Sequence, residues 1–137
     1  MKAALATSDY MALAELRYLL RRFLRFSEAA AHGAGLETRQ HQFLLALKGL
    51  APGKRPVIKE LAERMQIRHH SAVELTNRLV ARGYVERRRS PRDRREVLLS
   101  LTAEGEAVLR KLSLDHRAEL RARGPALTAA LQRITRK

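Results

Sequence analysis

Seven arginines fall between positions 82 and 95, and most of them crowd one run, Arg87-Arg88-Arg89-Ser90-Pro91-Arg92-Asp93-Arg94-Arg95. A guanidinium stays charged at any physiological pH and presents a flat fork of donors, which matches the oxygens of a phosphate backbone. The flanking residues read as strands. Tyr84-Val85-Glu86 precedes the run, and Val97-Leu98-Leu99-Ser100-Leu101 follows it, with apolar residues at 97, 99 and 101 on one face. The pattern predicts a short hairpin with concentrated positive charge at its tip. The bland alternative is that Arg95 merely pairs with Asp93 or Glu96 on a solvated surface. Seven arginines exceed what a hairpin needs for solubility.

A second set of polar side chains lies just upstream. A helix expected from about His69 to Arg82, stopped by Gly83, has the inward set Ala72, Leu75, Thr76 and Leu79 at i, i+3, i+4, i+7 spacing. Subtracting that set leaves His70, Ser71, Glu74, Asn77 and Arg78 facing outward, with Val73 at the margin and Arg68 in the turn before. Each has a chemistry suited to a duplex. His70 and Ser71 sit near a helix N-terminus, where backbone N–H groups favour phosphate. Asn77 can bond adenine bidentately, Arg78 can take guanine or phosphate, and Glu74 can accept from cytosine N4. Any one of them could equally be a solvated helix position; the set carries the reading. Arg92 and Arg94 read either as phosphate contacts or as solvated charges.

Other chemistries find little support. His69, His70 and Glu74 hint at a metal, but no third ligand stands at a telling spacing, so no metal or cofactor is expected. No paired carboxylates, glycine-rich phosphate loop or nucleophile elbow argues for an enzyme. There are no cysteines, which excludes disulfides and thiol chemistry.

Composition agrees with a polyanionic partner. Lys and Arg number 28 against 14 Asp and Glu, a formal net charge of +14 over 137 residues. A surplus of this size favours double-stranded DNA or another polyanion through counterion release. No stretch approaches the ~18 apolar residues of a membrane span, and Met1-Lys2-Ala3-Ala4-Leu5 lacks a secretory h-region. The expectation is a cytoplasmic protein with no membrane partner.

The elements that must position these residues can be read from periodicity, as six helices and one hairpin. Ser8 or Asp9 can cap a first helix to about Ala31, with Leu13, Leu16, Leu20 and Phe23 in one stripe widened by Leu19 and Phe26. Thr38 is the expected cap of a second helix carrying Phe43, Leu44, Leu47 and Leu50. Pro52-Gly53 breaks the chain and Lys54-Arg55-Pro56 extends it. A third helix, about Val57 to Gln66, turns Ile58, Leu61, Ala62 and Met65 inward and lacks a capping residue. Thr102 caps a fifth helix to about Ala122 or Arg123, with Val108, Leu109, Leu112, His116 and Leu120 along one side. Gly124-Pro125 is expected to reset the direction before a last helix bearing Leu127, Ala130, Leu131 and Ile134. His116 on that seam reads as a hydrogen-bonded interface residue. The fifth and last helices have too few apolar neighbours to bury both stripes and would pack, together with the first helix, across a two-fold axis, so a homodimer is expected.

The fold class is therefore mainly α (α+β), a winged helix-turn-helix with flanking dimerisation helices. One domain is expected over 1–137, with a DNA-binding core at 36–102 and dimerisation elements at 8–32 and 103–136.

Three stretches make the reading more specific: Ile58-Lys59-Glu60-Leu61-Ala62-Glu63-Arg64-Met65, Leu79-Val80-Ala81-Arg82-Gly83-Tyr84-Val85-Glu86-Arg87, and Asp93-Arg94-Arg95-Glu96-Val97-Leu98-Leu99-Ser100-Leu101-Thr102-Ala103-Glu104-Gly105. They resemble the MarR family of bacterial transcription regulators. That resemblance implies an obligate homodimer, usually a repressor, on a pseudo-palindromic operator, often released by a small, frequently aromatic effector. By position it makes Asp93 and Arg95 the wing motif, with the arginine entering the minor groove and the aspartate helping to hold it. It also places an effector pocket near Arg17, Tyr18, His41 and Phe43. The competing reading is a nonspecific architectural DNA-binding protein, which would show no preferred palindrome.

Overall fold

The computed structural model describes residues 3–136; Met1, Lys2 and Lys137 of the domain expected over 1–137 lie outside the described residues. In chain order the elements are α1 (Thr7–Gly33), α2 (Thr38–Lys48), α3 (Ile58–Met65), α4 (His69–Ala81), β1 (Val85–Arg89), β2 (Val97–Leu101) and α5 (Ala103–Thr135). The chain is mostly helical with one two-stranded antiparallel sheet, as the sequence predicts. It divides into two units: Ala31–Leu112, and Met1–Ala30 with Ser113–Lys137.

The unit spanning Ala31–Leu112 holds α2, α3, α4 and the hairpin around a filled core. Leu36, Phe43, Leu44, Leu61, Leu79, Val85 and Leu112 are all at most 2% exposed. On α4 the buried residues are Ala72, Leu75, Thr76 and Leu79, the set expected from helical spacing. Thr76 is tolerated there because its hydroxyl donates to the Ala72 carbonyl at 2.7 Å. Gly83 ends the helix with φ +78°, and Tyr84 N–H returns to the Leu79 carbonyl at 3.0 Å. The chain then enters the hairpin, paired Val85↔Leu101 through Arg89↔Val97.

Helix boundaries show where local chemistry differed from expectation. The cap of α2 is Glu37, one residue before Thr38, because Gln40 Oε1 reaches back to accept from Glu37 N–H at 2.9 Å. Val57 precedes α3 without any side-chain cap, in keeping with its sequence. Gln66 leaves that helix in the left-handed region (φ 54°), and Ile67 N–H closes the turn on the Ala62 carbonyl at 3.1 Å. Thr102 does cap α5: its Oγ1 accepts from Gly105 N–H at 3.1 Å and donates to the Gly83 carbonyl at 2.5 Å. Gly105 permits that approach, since a Cβ there would lie 2.1 Å from the Tyr84 carbonyl oxygen.

The second unit is built from the remainder of α1 and α5. The expected break at Gly124-Pro125 does not occur; α5 runs unbroken to Thr135, so the described residues form five helices and not six. Proline removes one i→i−4 bond. The strong helix formers around it (Ala122, Ala126, Leu127, Ala129, Ala130, Leu131) carry the helix through. His116 bonds Ser27 Oγ at 2.8 Å and sets its ring edge-on to Phe23 and Phe26, at centroid distances of 5.9 and 5.3 Å. It therefore joins α5 to α1 within the unit. Beyond it lies a cavity of about 200 Å³ lined by Leu19, Phe23, Leu120 and Leu127 among others.

Candidate nucleic-acid interface

The outward face of α4 is polar and accessible. Arg68, His70, Glu74, Asn77 and Arg78 are exposed and Ser71 is half-buried. Arg68 occupies the cap position without a side-chain cap bond, so the first-turn N–H groups of α4 are left for solvent or an anion. Arg78 lies 3.4 Å from Glu37, an exposed pair of little energetic weight. Asn77 differs from its neighbours, because its carbonyl oxygen accepts from Arg87 on β1.

The arginine run is split between strand and tip. β1 continues through Arg89, so Arg87, Arg88 and Arg89 are strand residues, and the tip is Ser90 to Glu96. Alternation explains their directions. Arg87 stands across from Leu99 and shares its inward side, and its long side chain carries the guanidinium out to α4. Arg89 donates to the Arg94 carbonyl at 2.7 Å and ties the strand end to the tip.

The tip is shaped by short-range bonds. Ser90 is 3% exposed, and its Oγ accepts from Arg92 N–H at 3.2 Å and Asp93 N–H at 3.4 Å. Asp93 Oδ1 accepts from Arg95 N–H at 3.0 Å and lies 3.7 Å from Arg95 Nε. The aspartate thus fixes the backbone of Arg95, while the arginine side chain remains 96% exposed. Arg92, Asp93 and Arg94 are exposed beside it.

Sequence reasoning missed the anchor under this tip. Arg55, in the link before α3, pairs through two nitrogens with the Glu96 carboxylate, and its Nη2 lies 3.5 Å from Ser90 Oγ. Pro56 of the same link accepts from Leu99 N–H at 2.8 Å. The hydrogen bond from Arg55 holds the Glu96 carboxyl below the usual carboxylate range, and Glu96 in return raises Arg55. Ser90-Pro91 and Asp93 were local signals for such a turn. The Arg55 contact, across 41 residues of sequence, had no local signal.

The residues expected to line an effector pocket fall in different units. His41 and Phe43 are buried in the core of the Ala31–Leu112 unit. Arg17 and Tyr18 are exposed on α1 in the other unit, where Arg22 lies over the Tyr18 ring at 5.8 Å. Among the described residues no group of three or more His, Asp or Glu could hold a metal, and no helix is long and apolar enough to cross a membrane.

A helix pair followed by a cationic hairpin, with the outward face of its second helix left polar, defines a winged helix-turn-helix. Residues 34–96 match the MarR family model, and the winged helix-turn-helix fold is shared with solved MarR-family structures. Solved structures agree. The chain is similar to AbsC, a MarR family transcriptional regulator from Streptomyces coelicolor (21% identity, 89% of this chain and 82% of that one, TM-score 0.71). It is also similar to the MarR family transcription regulator SP03579 (26% identity, 82% and 73% covered, TM-score 0.71). A third match is a mutant MarR from E. coli complexed with operator DNA (20% identity, 88% and 90% covered, TM-score 0.64). Among curated proteins, none matches the sequence.

Proposed function

We propose that this protein is a sequence-specific transcriptional repressor that binds a pseudo-palindromic operator in double-stranded DNA as a homodimer. The observation that carries the reading is the pairing, within one unit, of an exposed polar α4 face with a tip that holds the Arg95 backbone and leaves its side chain exposed. A helix of this kind suits the major groove. An arginine on a narrow tip suits the adjacent minor groove, where negative potential is concentrated. The MarR that matches this fold was solved with operator DNA, and a similar MepR from S. aureus was solved bound to an oligodeoxyribonucleotide.

Support for the homodimer comes from the other unit. Every exposed large apolar side chain among the described residues, Leu45 apart, belongs to it; Met11, Leu24 and Leu131 are examples. Exposed apolar surface on this scale marks an interface. Release by a small effector belongs to the same proposal and rests on the family alone. Its check is whether small aromatic acids displace the protein from its operator.

The test is selection of bound sequences from a random duplex pool. The proposal expects a two-fold symmetric motif. An unpatterned pool, bound with a steep salt dependence, would favour the nonspecific architectural reading instead.

A further inference from the structure

Asn77 and Arg87 form a direct side-chain link between the outward face of α4 and the hairpin, and the function proposed above gives it no task. An asparagine amide has two different ends, a carbonyl that accepts and an NH2 that donates. Here the carbonyl oxygen is engaged by the Arg87 guanidinium. The NH2 group has no acceptor among the described residues. Both side chains are exposed, so the link costs little desolvation and can persist at a wet interface.

We infer that Arg87 is a positioning residue for sequence readout, which holds the Asn77 oxygen toward the hairpin and leaves its NH2 as the end offered to a base edge. The inference rests on the reading that α4 enters the major groove. Its consequence is a change in what Asn77 can recognise. The familiar asparagine–adenine contact needs both ends of the amide side by side, the oxygen taking adenine N6–H and the NH2 giving to N7. Arg87 takes one of the two lone pairs of that oxygen and turns it toward the hairpin, so the contact with a base edge is weighted toward donation by the NH2. Guanine, which presents N7 and O6 as neighbouring acceptors, is the best partner, and thymine O4 is the next. Cytosine, whose major-groove group is the N4 donor, is rejected. The helix and the hairpin thereby act together on one base pair, though the hairpin residue does not touch it.

The experiment is sequence selection from random duplexes with the full chain, in parallel for wild type, Asn77→Ala, Arg87→Ala and Arg87→Lys. Melting temperatures are measured to confirm that each variant folds. Asn77→Ala should relax one position in each half-site, which locates the contact, and wild type should carry guanine or thymine there. Arg87→Ala should relax the same position, or turn it toward adenine, with about tenfold loss of the wild-type preference. Arg87→Lys, which keeps a donor for the Asn77 oxygen, should retain that preference. Adenine at that position in wild type overturns the inference, as does the absence of any position that Asn77→Ala relaxes. So does an Arg87→Ala variant that binds all sequences more weakly but with the motif unchanged, since that is the behaviour of a phosphate contact. A wild-type pool with no motif at all overturns the parent reading and this inference with it; a motif that ignores Arg87 overturns this inference alone.

Discussion

The two units of this chain solve the problem of apolar burial in opposite ways. In Ala31–Leu112, helices from three directions and a hairpin enclose Phe43, Leu44, Leu61 and Leu79 completely. In the unit formed by most of α1 and the C-terminal part of α5, only Ala12 and Ala130 among apolar residues reach comparable burial, while Met11, Leu24 and Leu131 stay about half exposed or more. The first unit is a finished core and can hold its exposed polar α4 face and arginine tip in place unaided. The second is two helices whose stripes are wider than one neighbour can cover. The difference teaches that the arginines and the apolar stripes are segregated: in the proposed function one unit would present the chemistry, and the other would set how many copies present it.

The comparison makes predictions that differ in size. The largest effect belongs to the finished core. Phe43→Ala should cost about 3–5 kcal/mol of stability, read from chemical unfolding, at any protein concentration. Leu24→Ala should behave differently, lowering the melting temperature by an amount that grows on dilution, because it weakens association. Concentration-independent losses of equal size for both variants would erase the distinction between the units.

Next in size is Gly105→Ala. Its new methyl would meet the Tyr84 carbonyl at 2.1 Å, and the rigid backbone there should make the change cost roughly 1–3 kcal/mol in the same assay. Arg95→Ala should lose a similar 1–3 kcal/mol, but in operator affinity, with the melting temperature unchanged. Arg95 is almost fully exposed, so the two quantities separate cleanly.

The smallest effect is the pH dependence of the tip anchor. Glu96 has a folded-state pKa below its ordinary value, chiefly through the Arg55 hydrogen bond. A depressed carboxylate stabilises the fold at pH above its unfolded pKa, about 4.3, and that contribution fades as pH falls through the lower folded value. Wild type should therefore unfold at a higher temperature than Glu96→Gln at neutral pH, with the gap closing below about pH 4. A gap that persists in acid would mean that the anchor owes its effect to packing.

Much of this was legible in the sequence, for reasons that can be traced to particular residues. The buried face of α4 followed from i, i+3, i+4, i+7 spacing, because Ala72, Leu75, Thr76 and Leu79 have only one way to share a side. The hairpin followed from alternation at Val97, Leu99 and Leu101. Two local rules were overridden. Gly124-Pro125 looked like a helix boundary, yet neighbouring helix formers carried α5 across it. Thr38 looked like a cap, yet Gln40 reaching back selected Glu37. The Arg55–Glu96 anchor and the Asn77–Arg87 link were not legible at all. Each depends on tertiary placement of an exposed arginine, and one arginine among many carries no local mark of its partner.

The central claim is that two copies hold one duplex, each placing α4 in a major groove and its arginine tip in the minor groove alongside. Hydroxyl-radical footprinting on a selected operator tests it directly. The account predicts two protected half-sites about one helical turn apart, related by a two-fold axis, with the minor-groove protection lost in Arg95→Ala. Uniform protection along the duplex, or a single protected half-site unaffected by Arg95→Ala, would contradict it.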